Sequence, residues 1–150
     1  KDEKKTKDSF VTIDGERWVL LGDMATIDAD GTISILGRGS VCINTGGEKV
    51  YPEEVEAVLK AHPAVYDAVV TGVPDERFGQ RVAALVQLRP ELPAPGEAEL
   101  IEHTRAHVAG YKAPRAVLVV PEIRRSPSGK ADYPWAARTA AEHVAAAAGS

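Results

Sequence analysis

GRGSVCINTGGEKVYPEEVE, residues 37–56, changes character half-way along. Its first half has glycine at 37, 39, 46 and 47, and reads as a loop or short hairpin. Its second half reads as a helix. Pro52 suits the first helical position, where a missing N–H has no partner to lose. Glu53 and Glu54 complement the positive end of the helix dipole. Val55, Val58 and Leu59 share one face at i, i+3, i+4, and Pro63 ends the segment.

Upstream lies FVTIDGERWVLLGDMATIDADGTISILGR, residues 10–38. Asp14-Gly15 and Asp30-Gly31 are tight-turn signals between apolar runs, so two hairpins are expected, with strands near 10–13, 16–21, 25–28 and 32–36. Such a piece is too small to close its own core and is expected to be the edge of a larger body. Downstream, AVYDAVVTGVP (64–74) is apolar on both faces and reads as a central strand. PDERFGQ reads as a loop, RVAALVQL (81–88) as a strand, and RPELPAPG (89–96) as a surface connection. EAELIEHTRAHVA (97–109) is an amphipathic helix with Leu100, Ile101, Thr104 and Val108 on its buried stripe. RAVLVV (115–120) is a third strand, PEIRRSPSGKADY a loop, and an alanine-rich last helix opens with Pro134. From residue 48 the order is α-β-β-α-β-α. The fold class is α+β: a small mixed sheet flanked by helices, preceded by β-hairpins.

The length of 150 residues suits an ordinary domain with a real core. Aromatic residues are only 5%, so that core must be built from Val, Ile, Leu and Ala. A net charge of −4 without a basic run argues against a nucleic-acid partner. The single cysteine, Cys42, excludes an intrachain disulfide framework and suits a reducing compartment. No apolar run is long enough to span a bilayer. The expected location is cytoplasmic, with peripheral membrane association compatible. The chain opens on KDEKKT without an initiator Met, and is expected to be a fragment or processed product.

Two glycine-bearing stretches fall short of nucleotide-binding motifs. SPSGKAD has Ala131 after the lysine and lacks the earlier glycine of a P-loop. GRGSVC has Cys42 where a dinucleotide fingerprint needs glycine. His103 and His107 are spaced to share a metal, but no third ligand is apparent, so exposed helix histidines are expected and no metal site is assigned.

Four stretches together carry a resemblance. GRGSVCINTGGEKVYPEEVE resembles a signature of the adenylate-forming superfamily: acyl-CoA synthetases, luciferases and peptide-synthetase adenylation domains. LLGDMATIDADGTISILGR, GVPDERFGQRVAALV and YKAPRAVLVVPEIRRSPSGKADY resemble, in order, its Gly-Asp hairpin, its central strand pair and its closing segment, where a lysine follows Ser-Gly. The resemblance runs from about residue 10 to about 135. Amino-acid-activating members carry a KIRGFRIE-like string where this chain has INTGGEKVYPEEVE, so it is most similar to the fatty-acyl-CoA synthetase branch.

The resemblance implies a domain plan: residues 1–37 as the edge of a large N-terminal adenylating domain, 38–40 as a hinge, and 41–150 as a small C-terminal lid. It also implies a reaction. A carboxylic acid attacks Mg²⁺-ATP to give acyl-adenylate and pyrophosphate, then coenzyme A displaces AMP; no prosthetic group is involved. ATP, Mg²⁺ and coenzyme A are substrates that need the large domain, so this chain alone is expected to be inactive. Lys130 matches the adenylation lysine, where an ammonium on a flexible stem can bridge carboxylate and phosphate. The plainer reading is a solvated loop lysine. Asp23 matches the acidic residue that accepts from the ribose hydroxyls, and Arg38 the arginine of the ribose region; the alternatives are a strand-end aspartate and a surface arginine. Leu21 stands where the family usually has threonine, and Ser40 stands at the hinge where many relatives carry Asp or Lys. Thr45, Gly46 and Gly47 match the loop lining the pantetheine tunnel, where glycine leaves room for the thiol; an ordinary glycine turn is the alternative. Lys49 fits either a coenzyme A phosphate or solvent.

A lysine acetyltransferase acting on Lys130 is a partner borrowed from relatives, although Arg124 replaces the proline that many acetylated relatives carry. Two other readings stand beside the acyl-CoA synthetase. One is an acyl-AMP ligase or adenylation domain loading a carrier protein. The other is a non-catalytic module with the same fold, which would have no reason to keep Lys130, Asp23 and Arg38 together.

Overall fold

The computed structural model describes residues 7–148, without the side chains at 34, 36–38, 40 and 148. The chain divides into two compact units, one up to Ser40 and one from Val41 onward.

The first unit is two hairpins. Strands β1 (Phe10–Ile13) and β2 (Glu16–Val19) pair antiparallel with Phe10 opposite Val19. Asp14 and Gly15 both take left-handed backbone, φ 51° and 84°, as a two-residue hairpin loop requires. Strands β3 (Asp23–Ile27) and β4 (Ile33–Arg38) pair with Asp23 opposite Arg38 and an irregularity between Met24 and Ala25. The sequence places β2 to residue 21 and β3 from 25; instead β2 stops at Val19 and β3 starts at Asp23, right after Gly22 turns the chain at φ 82°. Leu21, Ile27, Ile33 and Ile35 are all at least 65% exposed, so these hairpins bury little of their apolar surface.

The second unit is a five-stranded mixed sheet with helices on both faces. One turn of 3-10 helix (Gly39–Val41) leads into the hairpin β5 (Ile43–Thr45) and β6 (Glu48–Val50). Helix α1 (Pro52–Lys60) follows, with Pro52 at its start and Glu53 and Glu54 in its first turn, as the sequence indicates. Strands β7 (Val65–Asp75) and β8 (Gly79–Leu88) form a long antiparallel pair. Helix α2 (Glu97–Arg105), strand β9 (Ala116–Val119) and helix α3 (Tyr133–Ala148) complete the chain. β9 runs parallel to β8, and β5 pairs with the start of β8, Thr45 opposite Gly79. The α+β class is borne out.

Alternation along β7 and β8 divides the core into two layers. Ala68, Val70, Val82, Ala84 and Val86 face Val55 and Leu59 of α1 and Leu100 of α2. Val69, Val73, Ala83 and Leu85 face Ala136 and Ala140 of α3. The buried residues of both layers are Val, Ala, Leu and Ile, with Tyr133 and Trp135 packed against the second.

Four expectations are corrected. β7 is an edge strand; β8 is the central one. β7 is apolar on both faces because helices cover both faces, which is independent of strand order. Pro74 within β7 is the sequence signal that was available, since a proline without N–H is confined to sheet edges. PDERFGQ is no loop: Pro74 pairs with Gln80 and Asp75 with Gly79, leaving residues 76–78 as a tight turn capped by Asp75 Oδ1, which accepts from Arg77 N (3.0 Å) and Phe78 N (2.9 Å). Helix α2 ends at Arg105 rather than 109, where buried Thr104 turns its hydroxyl back onto the Leu100 carbonyl at 2.8 Å. Helix α3 starts one residue before Pro134, with Asp132 Oδ1 accepting from Trp135 N at 2.9 Å as its cap.

Candidate functional site

In the first unit the register sets Asp23 directly across from Arg38. Asp23 is exposed. The Arg38 side chain, and that of Ser40, lie outside the described residues. Gly39 N donates to the Gly22 carbonyl at 3.2 Å, tying the approach to Asp23 to the segment that leaves β4.

In the second unit, Thr45, Gly46 and Gly47 form the tip of the β5–β6 hairpin. Thr45 is buried. Gly46 and Gly47 take φ 61° and 91°, a region that side chains disfavour. A Cβ on Gly46 would also sit 3.1 Å from the Phe78 ring, whereas one on Gly47 would meet open space. Gly46 is therefore held by packing as well as backbone, and Gly47 presents bare backbone outward. Three bonds fix the tip: Gly46 N to the Phe78 carbonyl (2.9 Å), Gly47 N to Asn44 Oδ1 (3.2 Å), and Asn44 N to Gln80 Oε1 (3.0 Å). Lys49 sits opposite Asn44 and is exposed.

Lys130 is exposed at the end of a closed turn. Ser126 N donates to the Lys130 carbonyl (2.8 Å), Gly129 N to the Ser126 carbonyl (2.8 Å), and Lys130 N to Ser126 Oγ (3.2 Å). Gly129 supplies the left-handed φ of 80° that the turn needs. An isolated bridge between Arg125 and Ala131 closes the base.

This turn and the glycine hairpin are anchored at opposite ends of one strand. The first reaches β7 at Asp67 through Arg125; the second reaches β8 at Gly79, which faces Asp75 of β7. Asp75 lies eight residue steps along β7 from Asp67, about 26 Å at roughly 3.3 Å per residue. The structure brings Asp23 and Arg38 together and holds Lys130 and the Thr45–Gly47 tip apart.

Sequence reasoning missed the supports. Glu56, in the apolar stripe of α1, is buried and accepts from Val70 N at 2.9 Å, satisfying a donor on the free edge of β7. Burial pushes its carboxyl up, the Val70 N–H opposing. Tyr133, at the start of α3, is pushed well up by burial and by the charge of Glu56. Asp67 was legible only as a charge inside an apolar run. Partial burial raises its carboxyl, but the hydrogen bonds from Arg125 and Ala68 N outweigh this and hold it below the usual range.

The histidines are also corrected. His103 is half-buried and donates from Nε2 to the Val58 carbonyl at 3.0 Å, joining α2 to α1. His107 lies past the helix end and donates from Nδ1 to the His103 carbonyl at 2.8 Å. Among the described residues no group of three or more His, Cys, Asp or Glu side chains is arranged to hold a metal, and no helix is long and apolar enough to cross a membrane.

The model of the AMP-binding enzyme C-terminal domain matches residues 54–130, just over half of the chain, from α1 to the lysine of the closed turn. The chain belongs to that family. A medium/long-chain-fatty-acid–CoA/3-oxocholest-4-en-26-oate–CoA ligase of Mycobacterium tuberculosis is 60% identical over 136 residues, covering 91% of this chain and 25% of the relative. A 3-oxocholest-4-en-26-oate–CoA ligase of Rhodococcus rhodochrous is 60% identical over 140 residues, covering 91% and 24%. Among solved structures, ATP-bound MatB from Rhodopseudomonas palustris matches with a TM-score of 0.76 at 32% identity, over 93% of this chain and 27% of that one. This AMP-binding C-terminal domain thus spans about a quarter of the length of the relatives it matches.

Proposed function

We propose that this chain is the lid of an ATP-dependent acyl-CoA ligase, with two working ends. Residues 1–37 are the end of the large adenylating domain, and the exposed Leu21, Ile27, Ile33 and Ile35 of this segment pack on the rest of it. Residues 38–40 are the hinge, with Ser40 as the pivot, and residues 41–150 are the lid. In the first half-reaction the acid's carboxylate attacks the α-phosphate of Mg²⁺-ATP and pyrophosphate leaves. The Lys130 ammonium offsets the charge gathering on the transferring oxygens. Asp23 accepts from the ribose hydroxyls and Arg38 contacts the ribose region. In the second half-reaction the lid turns and the Thr45–Gly47 tip lines the path of the pantetheine thiol. The thiolate attacks the acyl carbonyl and AMP leaves.

One observation carries this reading: the turn of Lys130 and the glycine tip are anchored toward opposite ends of β7, as suits a lid that turns to bring each to a common substrate in sequence. The 60%-identical relatives support a large apolar acid, a medium- to long-chain fatty acid or a sterol side-chain carboxylate, as substrate. Acetylation of Lys130 by a lysine acetyltransferase would remove the charge this step uses.

The test is Lys130→Ala in the full-length ligase. Acid-dependent pyrophosphate exchange should fall on the order of a hundredfold. Thioester formation from preformed acyl-adenylate should be largely kept. An equal loss in both halves would refute the assigned role. Offering coenzyme A and a carrier-protein thiol in parallel tests the acceptor, and transfer to the carrier alone would replace the ligase with a carrier-loading enzyme.

A further inference from the structure

We infer that Arg125 and Asp67 form a clamp that sets the position of Lys130, making Arg125 a positioning residue for adenylate formation; this rests on the role proposed above for Lys130. Arg125 spends three donors on two targets. Nε donates to Asp67 Oδ2 at 2.7 Å and Nη2 to Asp67 Oδ1 at 2.8 Å, a bidentate fork onto β7. Nη1 donates to the Gly129 carbonyl at 3.0 Å, the peptide that leads directly into Lys130. Asp67 is itself oriented by Ala68 N at 2.8 Å. The Asp67 and Arg125 side chains are 17% and 31% exposed, which sets this pair apart from a freely solvated one.

The geometry explains why a clamp is needed. The hydrogen bonds inside the 126–130 turn hold its shape and the Arg125–Ala131 bridge closes its base, but none of these bonds reaches the sheet. Arg125 ties the turn to β7 at the last peptide before Lys130. A lysine stem is flexible, so reach into a reacting complex depends on where its Cα is held. A displacement of about 1 Å costs on the order of a hundredfold in such reactions. A planar guanidinium offers a fork to the carboxylate and a further N–H to the carbonyl in one fixed geometry, which an ammonium, a point charge on a flexible stem, does not.

Three variants of the full-length ligase test this beside Lys130→Ala, each followed by pyrophosphate exchange, thioester formation from preformed acyl-adenylate, and thermal melting. Arg125→Ala should lose adenylation on the order of a hundredfold and keep the thioester half. Arg125→Lys retains the charge pair with Asp67 but not the Gly129 bond. It should melt with the parent yet adenylate about tenfold more slowly. The reversed pair Arg125→Asp with Asp67→Arg should regain the melting temperature without regaining adenylation, because an aspartate cannot donate to the Gly129 carbonyl. Should Arg125→Ala fold poorly, the lysine variant decides. Full adenylation by Arg125→Lys, or its return in the reversed pair, while Lys130→Ala stays inactive, would make the clamp purely structural and overturn the inference. Full adenylation by Lys130→Ala would overturn the clamp and the reading beneath it together.

Discussion

A carboxylate in the core needs a reason, and at position 56 the reason is an edge strand. Glu56 caps the outward N–H of Val70, which among the described residues has no strand partner on that side. Burial raises its pKa, with Lys60 lowering and Glu53 raising it in smaller measure. A native pKa above the unfolded one means the folded state binds more protons. Stability from this group is complete below the ordinary carboxylate range and is lost as pH rises through the raised native value. Asp67 behaves oppositely: its pKa is depressed, so its contribution is lost only as pH falls below the ordinary range and is constant above it. Glu56→Gln keeps an acceptor for Val70 N and removes the titration. Its melting temperature should therefore decline less than the parent's as pH rises above the ordinary carboxylate range. Parallel melting curves for the two proteins would show that Glu56 does not titrate in that window.

The β5–β6 hairpin shows how an element prepares a site. Its tip is rigid because Gln80, Phe78 and Asn44 hold it, and bare because Gly47 faces open space. Gly47→Leu places a large side chain there and strains the backbone by about 1–2 kcal/mol. Gly47→Ala carries the same strain with little bulk and serves as its control. In the full-length ligase both should make acyl-adenylate. Only the leucine variant should lose thioester formation, by tenfold or more as a rough expectation. Equal thioester rates in the two variants would place the tip away from the thiol's path.

At the scale of the molecule the proposed motion passes through Gly39–Val41, one turn of 3-10 helix at the boundary between the units. Ser40→Pro restricts that backbone while leaving Lys130 and Asp23 in place. Pyrophosphate exchange by the full-length variant should persist, and transfer to coenzyme A should fall. Loss of exchange with the fold retained would mean that proline holds the hinge in the thioester-forming arrangement.

Local chemistry made most elements legible. Pro52 with the two following glutamates set the start of α1, the Asp-Gly pairs set hairpin turns, and aliphatic periodicity set the strands and their two buried faces. The motif order was likewise local, and it marked the chain as a member of the AMP-binding C-terminal family. Strand order was not legible, because apolar content reports helices above and below a strand and says nothing of neighbours beside it; hence β7 reads as central and lies at the edge. The supports of the site were hidden for a related reason. Arg125 meets Asp67 across 58 residues of sequence, and Glu56 meets Val70 from a separate element. Each looks like an ordinary charge until the sheet forms, since a charge acquires a partner only when folding removes the water that would otherwise solvate it.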